Sequence, residues 1–271
     1  MRRSVFFISD GTGITAETLG RSLLAQFDHV EFEEQTIPYV DSPEKAWDAV
    51  RSIDAAACDE GRPIVIDTIV NSELRQIISK SKAFKLDVFE AFVGQLEGEL
   101  STASSRAVGT SHSMDSQPDY AARIDAVHFA LDNDDGARTR HYDRADLILI
   151  GVSRSGKTPT SLYMALQFGV HVANYPLTED DFEESELPAA LRPFKKKLFG
   201  LTIEPGRLAI IRRERKPDGR YANLAQCESE IRAARSIYVR ENIPFLDSTH
   251  LSIEEISTRI LATVGLKRRL A

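Results

Sequence analysis

The sequence predicts an α/β protein with two domains, each built on a parallel β-sheet. Short apolar runs alternate with amphipathic helical stretches, which is the pattern of strand–helix units in a parallel sheet. The 271 residues exceed the usual size of one domain, about 100–200 residues. Residues 101–118 are rich in Ser and Thr and poor in apolar residues, which is typical of a linker or a mobile functional loop. We therefore predict an N-terminal α/β domain over residues 1–105 and a second domain over residues 106–271.

The first domain is predicted to hold three strands, each followed by a helix. The runs that predict strands are "SVFFIS", "VEFEEQTIPYV" and "PIVIDTI". The helical stretches that follow them are "ITAETLGRSLLAQF", "SPEKAWDAVRSIDAAAC" and "SELRQIISKSKA".

The second domain is predicted to begin with a helix and to continue as another strand–helix series. Tyr120, Ile124, Val127 and Leu131 have helical spacing in "DYAARIDAVHFALDN", and "DNDDG" ends that helix. The nearly continuous apolar run "ADLILIG" favours a strand buried in a parallel sheet. Later strands are predicted at "VHVANY" and "IPFLD", and helices at "TSLYMALQFG", "PGRLAIIRRERK", "CESEIRAARSIYVRE" and "SIEEISTRILATVG".

The composition argues against several classes of protein. Hydrophobic residues make up 42% and charged residues 28%, as in ordinary globular proteins. The formal net charge of −7 argues against a general nucleic-acid binder, which usually has a basic excess. Cys58 and Cys227 lie far apart without a CxxC pair, so neither a disulfide framework nor a zinc site is predicted. No window approaches the roughly 18 apolar residues of a membrane helix, so we expect a cytoplasmic protein without a membrane partner.

Residues 151–158, "GVSRSGKT", match the phosphate-binding pattern of Gly, four residues, Gly-Lys and Ser or Thr. This 151–158 loop follows a predicted strand and precedes a predicted helix, as the motif requires. Gly151 and Gly156 permit a tight turn in which successive N–H groups converge on a phosphate. Lys157 adds a positive charge, and the Thr158 hydroxyl would help to hold Mg2+. The second domain is therefore predicted to be P-loop kinase-like.

The whole loop is predicted to contact the nucleotide, and two of its cations are the candidate catalytic residues. The binding residues are Gly151, Val152, Ser153, Arg154, Ser155, Gly156, Lys157 and Thr158. The catalytic candidates are Lys157 and Arg154, with an exposed Arg154 of no special role as the alternative. A tight turn without any ligand is the alternative for the loop as a whole. Because the loop is expected to be exposed, replacing Lys157 is expected to cost little stability.

A second glycine-containing segment, "SDGTG", follows the first strand, and we call residues 9–13 the 9–13 loop. Gly11 and Gly13 give it flexibility, and Thr12 or Thr15 could bond an anion or cap the helix. Asp10 would repel a phosphate unless a metal or a hydrogen-bond donor intervenes. Helix capping alone is therefore favoured over phosphate binding for this segment.

Other polar residues are candidates for metal binding or base catalysis, although a structural explanation is favoured for each. Those residues are Asp134, Asp135, Asp180, Asp181, Asp247 and His112. Both adjacent Asp pairs are interpreted as solvated turns, Asp247 as part of a closing strand and turn, and His112 as an incidental loop residue. The basic runs "FKKKLFG" and "IIRRERK" are interpreted as solvated helix faces, with a surface for an acidic partner or for bound phosphates as the alternative.

Several segments together resemble the bifunctional regulatory proteins of phosphoenolpyruvate synthase and of pyruvate, phosphate dikinase. They are "ISDGTGITAETLG", "YAARIDAVHFALDNDDG", "ADLILIGVSRSGKTPTSLYMALQFG", "ANYPL", "KLFGLTIEPGRLAIIRRER" and "IPFLDSTHLSIEEISTRIL". They span almost the whole chain. Gly156 before Lys157 resembles the phosphoenolpyruvate synthase branch, whereas many dikinase-type members carry Ser there.

The resemblance implies two opposed reactions on one protein target, phosphoenolpyruvate synthase. One is an ADP-dependent Ser/Thr kinase reaction that inactivates the target, and the other is a phosphate-dependent reaction that removes the phosphate as pyrophosphate. By position, the 151–158 loop would bind ADP in one direction and inorganic phosphate in the other, with Mg2+ as the expected ion. A homodimer is left open. The strand end "VANYPL" lacks the acidic residue that small-metabolite kinases often carry, which favours an acceptor threonine on another protein.

Two other functions remain as alternatives to this one. The bare motif on its own favours a small-metabolite P-loop kinase that uses ATP. A nucleotide-sensing module would bind ADP without turnover. A nucleotide screen with and without the protein target separates all three.

Overall fold

The computed structural model describes residues 2–57, 61–105, 117–183, 186–216 and 219–269. The chain divides into two compact units, residues 1–113 and 114–271. Each unit contains a four-stranded sheet, and every strand pair is parallel. The predicted α/β class with two parallel sheets is confirmed.

The N-terminal unit has the strand order β2-β1-β3-β4, with helices following the strands. Its elements are β1 (Arg2–Ile8), α1 (Ile14–Leu24), β2 (Glu31–Ile37), α2 (Pro43–Ala55), β3 (Ile64–Asp67), α3 (Ser72–Ile78), β4 (Phe84–Asp87) and α4 (Val88–Leu100). The sequence accounts for these helix starts: Ser42 and Asn71 accept hydrogen bonds from first-turn N–H groups, and Pro43 occupies a first-turn position.

Two apolar clusters cover the two faces of this sheet. Helices α2 and α3 pack on one face, against Phe6 and Ile8 of β1. Helix α1 packs on the other face, against Val5 and Phe7. Gly20 allows that close approach, because a Cβ at this position would lie 2.3 Å from the Phe7 ring. Strand β1 is thus enclosed on both faces, which explains its continuous apolar sequence.

The C-terminal unit has the order β6-β5-β7-β8, which is the same arrangement in chain order as in the first unit. Its elements are α5 (Gln117–Asp132), β5 (Leu147–Val152), α6 (Lys157–Phe168), β6 (Val172–Leu177), α7 (Glu179–Glu183), β7 (Leu198–Thr202), α8 (Pro205–Arg215), α9 (Leu224–Arg240), β8 (Phe245–Asp247) and α10 (Ile253–Val264). Short 3-10 helices occupy Asp134–Gly136, Thr139–Arg144, Arg192–Lys197 and Arg220–Ala222. Helices α8 and α9 share a core with one face of the sheet, and α6 and α10 share a core with the other.

Among the elements that were not predicted, β4, α4 and β7 each have a physical reason. Strand β4 lies at the sheet edge with Phe84 and Leu86 exposed, so its four residues form no sustained apolar run. Helix α4 has no buried residue to mark a packed face. Strand β7 starts directly after a basic run, and Gly200 interrupts its apolar sequence. Glycine is needed there because a Cβ would lie 2.7 Å from the Tyr238 ring.

Two interpretations of the sequence are wrong in detail. In α5, Tyr120 and Leu131 are exposed, and the buried side is made by Ala126, Phe129 and Ala130. Small residues let α5 pack closely on Ala165 of α6. The basic run "FKKKLFG" is not one helix face, because its last three residues are buried in β7.

Within the described residues, no helix is long and apolar enough to cross a membrane. The candidates His112 and Cys58 lie outside the described residues.

Candidate active site

The 151–158 loop forms a tight turn between the carboxyl end of β5 and the start of α6. A Cβ on Gly151 would lie 2.6 Å from the Leu201 carbonyl oxygen and 2.7 Å from the Ser155 Oγ, so only glycine fits there. Gly156 has a φ of +94°, in the left-handed region. Arg154 also has a positive φ, +73°, which is uncommon for a residue with a side chain. Such outliers are often found at binding and catalytic sites.

The start of α6 has features that favour an anion. Its first residue is Lys157, and the N-cap Gly156 provides no side chain to accept hydrogen bonds from the first-turn N–H groups. These groups and the helix dipole favour a negative charge at this position. Beneath the turn, the buried Ser155 Oγ has no hydrogen-bond partner among the described residues. The Ser155 carbonyl accepts a hydrogen bond from Ser248 after β8, 3.1 Å away, which ties the turn to the sheet.

Lys157 is buried, contrary to the expectation of an exposed loop side chain. Its side chain folds back, and Nζ donates a hydrogen bond to the Val152 carbonyl at 3.0 Å. Burial lowers the pKa of Lys157 to about 8, against the opposite effect of Asp135 and Asp134. The site therefore holds a desolvated ammonium, which interacts with a phosphate more strongly than a solvated one does.

Asp134, which was interpreted as part of a solvated turn, lies beside the 151–158 loop. Its Oδ1 accepts hydrogen bonds from the Thr158 hydroxyl at 2.8 Å and from the Asn174 side-chain amide at 2.5 Å. Asn174 is fully buried in the middle of β6. A hydroxyl and a carboxylate in contact at the start of α6 are the oxygen ligands that Mg2+ prefers.

The turn that carries Asp134 is fixed by the same asparagine. The Asn174 N–H donates to the Asn133 carbonyl at 3.1 Å, and the Asp135 N–H donates to Asn174 Oδ1 at 3.0 Å. Asp135 has a positive φ of +47°, and the next residue, Gly136, has a φ of +72°. A buried side chain of β6 therefore holds a strained acidic turn next to the 151–158 loop, with Asp135 exposed at its surface.

The residues available for Mg2+ are few. Among the described residues, no group of three or more His, Cys, Asp or Glu could hold a metal ion on its own. The pair Thr158 and Asp134 fits an ion that takes its remaining ligands from phosphate oxygens and water, which is the usual manner of Mg2+.

Comparison with known proteins assigns the chain to a family. A model of the family described as "Kinase/pyrophosphorylase" matches residues 5–261. The chain belongs to the kinase/pyrophosphorylase family. It is 60% identical over 271 residues to a protein of Stutzerimonas stutzeri, with 100% of both chains covered. It is 60% identical to a protein of Marinobacter nauticus and 59% to one of Pseudomonas putida, with 99% of each chain covered. All three relatives are named "Putative phosphoenolpyruvate synthase regulatory protein".

One arginine of this family member was misread as part of a solvated helix face. Arg212 of α8 is buried, and its guanidinium donates hydrogen bonds to the Ser153 carbonyl of the 151–158 loop at 3.2 and 3.3 Å. The same group donates to Glu230 of α9 at 2.6 Å and lies over the Tyr221 ring. The Tyr221 hydroxyl is 2.9 Å from Ser153 Oγ. Arg212 of α8, which is itself bonded to Glu230 of α9, thus holds the 151–158 loop at Ser153.

The remaining candidates from the sequence lie apart from the loop or serve the local backbone. Asp247 ends the edge strand β8 and accepts hydrogen bonds from the Thr249 N–H and hydroxyl. Asp181 accepts from the Thr178 N–H and hydroxyl and from the Tyr175 hydroxyl. Arg154 is exposed. The catalytic role predicted for Arg154 stays a prediction.

The residues that sequence reasoning missed were visible only as weak signals. Asn174 is a polar residue inside an apolar strand, which is itself unusual enough to mark a site. Arg212 sits in a run of similar cations that offers no reason to single it out. The carboxylate that contacts the 151–158 loop, that of Asp134, comes from the 133–136 turn, which Asn174 of β6 holds in place.

Proposed function

We propose that this protein regulates phosphoenolpyruvate synthase through two opposed reactions at the 151–158 loop. One is ADP-dependent phosphorylation of a serine or threonine of the target, which inactivates it. The other is phosphate-dependent removal of that phosphoryl group as pyrophosphate, which reactivates it. The observation that carries the proposal is one buried ammonium, Lys157, at an uncapped helix start in a full-length member of the kinase/pyrophosphorylase family.

In the kinase direction, the loop holds the β-phosphate of ADP as the group to be transferred. The acceptor hydroxyl attacks the β-phosphorus, and the bond to the bridging oxygen breaks to release AMP. Lys157 and the first-turn N–H groups of α6 stabilise the charge on the transferring group. Mg2+, held by Thr158 and Asp134, would supply further charge neutralisation on the phosphate oxygens.

In the reverse direction, inorganic phosphate attacks the phosphorus of the phosphorylated side chain. The bond to the side-chain oxygen breaks, that oxygen takes up a proton, and pyrophosphate is the product. Both reactions place a phosphoryl group between two oxygens in line, and the protein contributes positioning and charge. One anion site can therefore serve both reactions.

The proposal is tested by incubating the protein with purified phosphoenolpyruvate synthase, Mg2+ and either ADP or ATP. Mass spectrometry should detect a single phosphoryl addition on the target with ADP. Subsequent addition of phosphate should remove it with one pyrophosphate per site. Transfer with ATP alone to a small metabolite would support a metabolite kinase instead, and ADP binding without any transfer would support a nucleotide sensor.

A further inference from the structure

A groove with a volume of about 760 Å3 runs along helix α9 in the C-terminal unit. Ile203, Ile231 and Val239 supply its apolar surface, and Val239 is 66% exposed. One row of exposed side chains, spaced by successive turns of α9, lines the groove: Glu228, Arg232, Arg235, Ser236, Val239 and Arg240. The groove thus combines apolar side chains with charged ones, as protein-binding surfaces do.

The arginines of this groove contrast with the rest of the chain, which has a formal net charge of −7. Among the described residues, neither Arg232 nor Arg235 forms an ion pair. The guanidinium of Arg235 lies 5.7 Å from the centre of the Phe245 ring, and Arg240 has an acidic neighbour only in Glu241, at 3.5 Å. Like charges this close on one helix face repel each other, and a partner with negative charge would offset the repulsion.

The end of the groove nearest to the 151–158 loop is acidic. Asp247 lines that end, and the next residue, Ser248, donates a hydrogen bond to the Ser155 carbonyl of the loop. Glu204, directly after β7, and Glu228, in the first turns of α9, line the same end. The arginines follow toward the C-terminal end of α9, over about 12 Å of helix. Carboxylates therefore lie beside the loop, and the arginines lie away from it.

We propose that this groove binds the segment of the target protein that carries the acceptor hydroxyl, and that this segment is acidic at a distance from the acceptor. The assignment rests on the proposed function. An extended chain advances about 3.3 Å per residue, so a segment with its acceptor at the loop reaches the arginines within about eight residues. Carboxylates there would pair with Arg232 and Arg235, whereas carboxylates next to the acceptor would meet Asp247 and Glu228. The groove thus selects a substrate by the position of its negative charge.

The decisive variant is Arg232→Glu, because this exposed side chain has no ion pair with the described residues to lose. The KM for the target protein should rise about tenfold or more, while the rate at saturating target and the Kd for ADP change less than about twofold. The matched control is Arg259→Glu, the same exchange at an exposed position of α10, which should leave all three values unchanged. Equal KM values for Arg232→Glu and the wild type would overturn the proposal.

Salt gives a second measurement on the same proteins. Because exposed charges are screened by ions, the KM of the wild type should rise with ionic strength, and that of Arg232→Glu should rise less steeply. The control Arg259→Glu should keep the wild-type slope. Equal slopes for the wild type and Arg232→Glu would contradict pairing between this arginine and a carboxylate of the target.

A charge exchange on the target tests which segment the groove holds. Mass spectrometry locates the phosphorylated side chain, and each Asp or Glu within about eight residues of it is then replaced by Lys. At least one such exchange should weaken binding to the wild type and restore binding to Arg232→Glu. A target with no acidic residue in this range, or with no exchange that restores binding, would overturn the assignment.

Binding of the target without nucleotide, measured by surface plasmon resonance, separates this proposal from the proposed function. If the wild type binds the target about tenfold more tightly than Arg232→Glu but transfers nothing, the groove is supported and the reactions are refuted. If transfer is normal and the two affinities are equal, the reactions are supported and the groove is refuted. A wild type that neither binds nor transfers would refute both.

Discussion

The two units of the chain repeat one arrangement and fill it with opposite charges. In each unit the strand order changes direction at the first strand, β1 or β5, and the next loop leads to a left-handed glycine and a helix without a side-chain cap. Ligands of open parallel sheets bind at this place. The 9–13 loop and the 151–158 loop are therefore equivalent positions, and their differences show what the chemistry requires.

At the 9–13 loop, the buried charged residues are carboxylates. Asp10 is buried, and its Oδ2 accepts a hydrogen bond from the Val70 N–H at 2.7 Å. Asp67 is buried at the end of β3, and burial together with Asp87 raises the pKa of Asp67 to about 7. Ile14, which is exposed, stands directly after the left-handed Gly13, where the other loop has Lys157 after Gly156.

From this comparison we expect that the backbone alone does not make a phosphate site. Both helices begin in the same way, without a side-chain cap, but only α6 has a cation, Lys157, as its first residue. In the N-terminal unit, Asp10 accepts hydrogen bonds from the Val70 and Asn71 N–H groups, which follow β3. We expect this unit to support the fold and target recognition, and the C-terminal unit to carry out the transfer.

The largest expected effect is that of Lys157→Ala. Both reactions should fall by about 1,000-fold or more, about 4 kcal/mol of transition-state stabilisation, because one ammonium serves both. The exchange Ile14→Ala, directly after the 9–13 loop, is the matched control and should leave both rates unchanged. Loss of phosphorylation with wild-type phosphate-dependent release would refute the shared site.

The two loops should also respond differently to a single added methyl group. Gly151→Ala places a Cβ against the Leu201 carbonyl and should lower the free energy of unfolding by about 1–3 kcal/mol. Gly11→Ala meets only the Ser9 Oγ at 3.8 Å and should change it by less than about 0.5 kcal/mol. Chemical denaturation of the two variants measures both values. Equal effects of the two substitutions on the free energy of unfolding would contradict the tight packing around Gly151.

The lowered pKa of Lys157 predicts a pH dependence of anion binding. Below about pH 8 the side chain is protonated and attracts phosphate; as the pH rises through this value, binding requires uptake of a proton. The affinity for ADP should therefore fall above pH 8, by at most about tenfold per pH unit. Calorimetric titrations from pH 7 to 9.5 measure this fall. In Lys157→Arg, the guanidinium stays charged and the fall should disappear.

The smallest expected effect is that of Arg154→Lys. If Arg154 grips phosphate oxygens with two N–H groups, lysine should reduce the rate at saturating ADP by about tenfold, or roughly 1.4 kcal/mol. Arg154→Gly is an informative companion, because it relieves the positive φ while removing the charge. Wild-type rates in Arg154→Lys would make Arg154 an ordinary surface residue.

Much of the fold was predictable because its determinants are local. The continuous apolar runs of β1 and β5 indicate buried parallel strands, and the start of α10 is a capping box, Ser252 with Glu255. The position of the 151–158 loop follows from its own motif. Edge strand β4 and the glycine-containing β7 were not predicted, because their apolar runs are short. Their strand pairing depends on residues far along the chain.

The site was predictable only where it lies within one segment. Lys157 and Thr158 belong to the motif, but Asp134 reaches Thr158 through a turn that ends another helix, and Asn174 fixes that turn from a third segment. Such long-range hydrogen bonds leave no spacing rule in the sequence. The burial of Lys157 is likewise a property of the packed unit, since a loop lysine is ordinarily exposed.

The central claim is that a single anion site, the 151–158 loop, serves both ADP and inorganic phosphate. The most direct test is the Kd for ADP, measured by calorimetry at pH 7.5 with increasing phosphate at constant ionic strength. The account predicts pure competition, with the apparent Kd rising linearly with phosphate and reaching no plateau. An apparent Kd that stays constant or levels off would show that phosphate binds elsewhere, with the 9–13 loop as the first place to look, and would contradict the account.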